Sequence, residues 1–132
     1  MGAVAKVLKP SIKVIGVQGE TSLALYDALK TGGIVRCPVG TTLAEGLAGN
    51  AYKEILPFLQ EVVDEMVLVS EEEIARGMRW PILTGGQVVE AARAVGVAAL
   101  LAEKFTLPPG PTLFVVRGGN VDAAVLREVV AG

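Results

Sequence analysis

A chain of 132 residues with a net charge of −2, one cysteine and no histidine has the length of one domain, without Ser-His-Asp, Cys-His or histidine-metal chemistry of its own. The lone Cys37 excludes an intrachain disulfide or a cysteine cluster and makes a reducing, cytoplasmic setting the expectation, while the near-neutral charge argues against nucleic acid or an anionic membrane as partner. Apolar residues make up 52% and aromatics only 5%, with 16 glycines, a mixture suited to helices packed closely on a buried parallel sheet.

Gly2 to Leu8 reads as a short helix ended by Pro10, and residues 1–10 lack a signal-peptide layout. Ile12 to Val17 is a β-branched run and predicts a buried strand. An amphipathic helix is expected over Thr21 to Lys30, closed by Gly32-Gly33. Ile34 to Val39 contains Pro38 and reads as an edge or irregular strand. Thr41 to Leu47 looks like a helical turn, and Tyr52 to Val63 like a helix kinked or started late at Pro57.

Met66 to Val69 predicts the next buried strand. Ser70, with Glu73 three residues on, has the capping-box signature of a helix that should stop before Pro81. The triple acid Glu71-Glu72-Glu73 is read as opening that helix rather than binding metal. Gly86 to Lys104 is expected to be the longest helix, apolar nearly all round and so buried between layers. Its apolar stretch, Val88 to Ala102, is interrupted by Glu90 and Arg93 and is shorter than the ~20 residues of a membrane span. Thr112 to Val116 reads as the last strand, and Asp122 to Val130 as a closing helix. Alternating strands and helices with at least three buried strands predict a single α/β domain over residues 1–132, a three-layer sandwich with a mainly parallel sheet.

Glycine turns after strands are where such domains hold anions, because helix N-termini present free N–H groups. Gly16-Val17-Gln18-Gly19 lacks the spacing of a dinucleotide fingerprint and reads as an ordinary turn; no P-loop is present. In Arg117-Gly118-Gly119-Asn120, paired glycines allow close backbone approach to a ligand, and Asn120 can cap the next helix. Arg117 either fixes an anion or points into water. Glu90 and Arg93, spaced i, i+3, either pair with each other or both face a cleft. Lys13, in Ser11-Ile12-Lys13, reads as a surface lysine leading into a strand.

Several segments together resemble one family. IKVIGVQGE (12–20), TTLAEGLAG (41–49), EMVLVSEEEIARGMR (65–79), VVEAARAVGVAALL (88–101) and LFVVRGGNVD (113–122) are similar, in order and spacing, to the C-terminal region of the threonine dehydratases and their relative serine racemase. The resemblance runs over nearly the whole chain. It implies one incomplete lobe of the tryptophan synthase beta-like fold, in which pyridoxal phosphate lies between two α/β lobes. It implies the activity of an amino-acid ammonia-lyase. The family's cofactor lysine and glycine-rich phosphate loop lie upstream of the stretch represented here, so no catalytic residue is assigned within the 132 residues.

Carried over residue by residue, the resemblance assigns Glu90, Arg117, Gly118, Gly119 and Asn120 to the cofactor site. Arg117 stands where the family has a serine against the ring nitrogen, and would disfavour a protonated pyridine. Arg93 stands where glycine or alanine is usual. Gln18 falls at the metal carboxylate of the racemase-like members, so no metal site is expected. Two readings follow: one portion of a dehydratase-like lyase, inactive alone and completed as a homo-oligomer or by a complementary chain; or a non-catalytic degenerate domain for binding or assembly, its pocket open to a small amino acid or anion.

Overall fold

The computed structural model describes residues 1–116 and 118–132. The elements follow the expected alternation: α1 (Gly2–Leu8), β1 (Ile15–Gly19), α2 (Ala24–Thr31), a 3-10 turn (Glu45–Leu47), α3 (Leu56–Val62), β2 (Glu65–Val69), α4 (Glu71–Gly85), α5 (Ala91–Leu101) and α6 (Ala123–Ala131). The strands pair in parallel, from Ile15 opposite Glu65 to Gly19 opposite Val69. The chain is thus α/β with a parallel sheet, its crossover made by α2, the 3-10 turn and α3. No helix among the described residues is long and apolar enough to cross a membrane.

Burial explains the layering. Helix α5 lies against both strands and against α4. Val69, Ile74 and Met78 are the largest fully buried side chains, and they meet the small residues Ala94, Ala98 and Ala99 of α5. The α4–α5 crossing is tight at Gly77, where a methyl group would lie 2.7 Å from the Ala98 nitrogen.

Helix α4 does not stop before Pro81 but runs through it to Gly85, which makes it longer than α5. Its buried residues are Ile74, Gly77, Met78 and Pro81, one continuous i, i+3, i+4, i+7 face. Packing of that face outweighs the roughly 3 kcal/mol that an interior proline costs a helix. The stop comes five residues later, at Gly86 in the left-handed region (φ +61°), whose N–H bonds Ile82 O. Because α4 uses Gly86 as its terminus, α5 begins only at Ala91.

Two expected strands are not formed. Residues 34–39 make no ladder, which accords with Pro38 lacking an N–H to donate. Among residues 112–116 only Phe114 is partly buried, and the other four are exposed. Phe114 turns inward, 6.5 Å ring to ring from Phe105, while Leu113 is 85% exposed. The sheet among the described residues therefore has two strands rather than three. An apolar alternation specifies which side faces inward, but pairing needs a neighbouring edge in reach.

Candidate functional site

The site is built where α5 starts. Glu90 is the N-cap residue of α5, in extended conformation, and its side chain does not bond the helix's own N–H groups. The backbone there is held from outside: Glu90 N–H donates to Gly118 O at 2.9 Å. Gly118 has φ +83°, and a Cβ on it would lie 2.9 Å from Glu90 Oε2. Both the backbone angle and the close carboxylate require glycine.

On the other side stands Gly46 of the 3-10 turn, where a Cβ would lie 3.0 Å from Ala92 Cβ and 3.9 Å from Glu90 Oε1. The Glu90 carboxylate therefore sits between two glycine backbones, Gly46 and Gly118, brought together from positions 72 residues apart in the sequence. Arg93 Nε lies 3.4 Å from Glu90 Oε1. Both side chains stay partly open to solvent, and of the two expectations the mutual pair is the one that forms. Solvent screening leaves the pair little intrinsic strength, but it places a cation beside the carboxylate.

The other residues singled out in the sequence divide. Gly119 follows directly, 3.5 Å from Val88 O when measured to a built Cβ, and its carbonyl accepts from Val121 N–H at 3.1 Å. Asn120 is exposed and does not cap the next helix; Asp122 does, accepting from Ala124 N–H at 2.7 Å. The cap moves because α6 begins at Ala123, out of reach of Asn120 for the bond to N2 or N3. Arg117 lies outside the described residues. Gln18 is buried, and its Oε1 accepts from Tyr26 N–H at 2.8 Å, which satisfies an α2 donor that the N-cap residue Leu23 cannot. Lys13 pairs with Glu65 on the surface. Among the described residues no lysine bonds Glu90, Arg93 or the turn at 118–120.

Burial pushes the Cys37 thiol up, and the Asp27 carboxylate, 3.3 Å away, accepts from the thiol and pushes it further. Sequence reasoning passed over Gly46 as a wall residue, although TTLAEGLAG was singled out as a segment. Glycine patterns reveal permissive backbone, not what approaches it.

A family model described as "Pyridoxal-phosphate dependent enzyme" matches residues 1–118. The L-threonine ammonia-lyase of Geobacter sulfurreducens is 38% identical over 92% of this chain and 30% of its own length. Serine racemase of Arabidopsis thaliana is 31% identical over 94% of this chain and 39% of its own. Among solved structures, a T.th. threonine deaminase superposes with a TM-score of 0.80 at 31% identity, covering 92% of this chain and 44% of that one. The chain thus spans about a third of the length of the curated relatives it matches.

Proposed function

The chain belongs to the pyridoxal-phosphate dependent enzymes, and from that premise we propose that it forms the C-terminal part of an amino-acid ammonia-lyase of the threonine dehydratase type. The observation that carries the reading is the meeting of Glu90 with the Gly118-Gly119 turn beside Gly46. Glycines on both sides leave backbone, not side chain, facing the carboxylate, which is the kind of wall a flat ring can lie against.

When bound, pyridoxal phosphate supplies the electron sink for elimination at an amino acid's α and β carbons. Glu90, Gly118, Gly119 and Asn120 hold the ring's surroundings in this proposal, and Arg117 takes the place beside the ring nitrogen. Arg93 neutralises Glu90. The family's cofactor lysine and phosphate loop are not among these 132 residues. With those groups outside them, the 132 residues alone are expected not to turn over threonine or serine. The protected Cys37 thiol suits the reducing cytoplasm.

The test has two parts. The purified chain is mixed with pyridoxal phosphate, reduced with borohydride and assayed for ammonia release from L-threonine and L-serine. We expect no single-site lysine adduct and no turnover; a stoichiometric adduct with turnover would overturn the incomplete-site reading. Native mass spectrometry of protein from its own cell extract should then show the 132 residues together with a cofactor-bearing lysine, in the same polypeptide or in a second one, and an assembly without cofactor counts against the lyase assignment.

One observation favours a second reading, a non-catalytic domain. The Arg93 guanidinium lies 3.4 Å from the Glu90 carboxylate, at a position where the resemblance implies glycine or alanine. If this arginine has closed the pocket, R93G raises affinity for pyridoxal phosphate. Unchanged affinity in R93G removes the support for this reading.

A further inference from the structure

The triple acid after Ser70 does three different jobs. Glu73 completes the capping box and pairs with Lys104 at 2.9 Å. Glu72 is exposed and carries no hydrogen bond or ion pair among the described residues. Glu71 reaches back over the carboxyl ends of the strands. Its Oε1 accepts from the Thr21 hydroxyl at 3.1 Å and its Oε2 from Leu43 N–H at 2.7 Å. One side chain therefore ties the turn after β1 to the segment that carries Gly46.

That segment has few other anchors. Ala44 N–H bonds Thr42 Oγ1, and Leu47 N–H and Ala48 N–H bond Ala44 O and Glu45 O, all within the segment. Among the described residues, the Leu43–Glu71 bond is the only hydrogen bond that joins residues 41–51 to another element. Apolar packing of Leu43, Ala44 and Leu47 presses the segment onto the core, but such contacts are non-directional. A charged acceptor on a backbone N–H is directional and strong. Gly46, three residues on, then meets Ala92 and flanks Glu90.

We propose that Glu71 is a positioning residue: by clamping Leu43 it sets how far Gly46 stands from Glu90, and so the spacing of Gly46 and Gly118 about the Glu90 carboxylate. This rests on reading the Glu90 surroundings as the cofactor site. The clamp works through geometry rather than charge. An amide at position 71 can accept from Leu43 N–H with its oxygen and donate to the Thr21 hydroxyl with its nitrogen. A role confined to helix-end charge would be lost equally in E71A and E71Q.

The experiment uses the isotope-labelled 132-residue chain. Expected in E71A are shifted Gly46 and Glu90 amide resonances, about tenfold faster exchange of the Leu43 amide, and about tenfold weaker binding of pyridoxal phosphate. E71Q should return all three close to wild type, and E72A should leave them unchanged. The proposal is overturned if E71A matches E72A at Gly46 and Glu90, or if E71Q fails to restore what E71A loses. Should E71A not fold, E71D draws the acceptor back from Leu43 N–H by one methylene, and an unmoved Gly46 resonance in E71D sinks the idea. A wild-type chain without measurable cofactor affinity would defeat the cofactor reading alone, because the amide resonances still decide the clamp.

Discussion

A methyl group on Gly77 would stand 2.7 Å from the Ala98 nitrogen and 2.9 Å from the Ala94 carbonyl, both backbone atoms that cannot swing away. The two helices would have to separate. G77A should therefore destabilise the chain by about 1–3 kcal/mol despite alanine's better helix propensity, as read from urea unfolding. Gly118 is constrained by the same logic at the site: the left-handed angle and the Glu90 carboxylate leave no room for a side chain. G118A should shift the Glu90 and Arg93 resonances while leaving those of Ile74 and Met78 in place. Both glycines stand in the sequence, but neither neighbour does. Gly77 lies inside a helix, where a glycine otherwise looks like a weakness, and its reason appears only once α5 crosses it.

Elements are held by their ends. The Ser70–Glu73 capping box is present in both directions, Glu73 N–H to Ser70 Oγ at 3.2 Å and Ser70 N–H to Glu73 Oε2 at 2.8 Å. Burial alone would push the Glu73 carboxyl up, but the Ser70 N–H and the Lys104 ammonium outweigh it and hold it below the usual glutamate range. S70A should cost about 1 kcal/mol in unfolding free energy. At the other end of the molecule Asp64 staples α1 to the start of the sheet, accepting from Lys6 Nζ at 2.6 Å and from Val14 N–H at 2.7 Å. Those two donors hold its carboxyl below the ordinary aspartate range. With the folded pKa depressed, the unfolded chain takes up the proton first. The contribution is present above the ordinary aspartate pKa, about 3.9, and is lost as pH falls through the lower folded value. Urea midpoints from pH 7 down to pH 3 should fall less steeply in D64N than in wild type. Equal slopes would show that the staple contributes nothing.

At the scale of the whole molecule the core is off-centre. It lies between β2, α4 and α5, with Val129 of α6 added, and Arg79 Nε bonding Val129 O at 2.6 Å to keep α6 in place. Apolar residues elsewhere remain in water: Val4, Val7 and Leu8 along α1, and Leu113 near the carboxyl end. I74A should thus cost 2–5 kcal/mol, roughly, whereas L113S should stay within about 0.5 kcal/mol. Comparable losses from the two changes would mean that residues 112–116 are packed in solution. Exposed apolar surface of this extent accords with a chain that spans about a third of the length of its curated relatives.

Much of the order of elements was legible from local chemistry. The β-branched runs marked β1 and β2, Ser-x-x-Glu marked the start of α4, and the GGNVD and VSEEEI pieces carried most of the family resemblance. These signals are legible because propensity, capping and turn chemistry act within a few residues. The length of α4, the missing third strand and the approach of Gly46 to Glu90 were not. Pro81 is tolerated because a helix face is buried on α5, residues 112–116 pair with neither β1 nor β2, and Gly46 meets Glu90 because Glu71 holds a distant loop. Each depends on groups far apart in the chain, and a sequence read locally has no distance in it from which such contacts could be inferred.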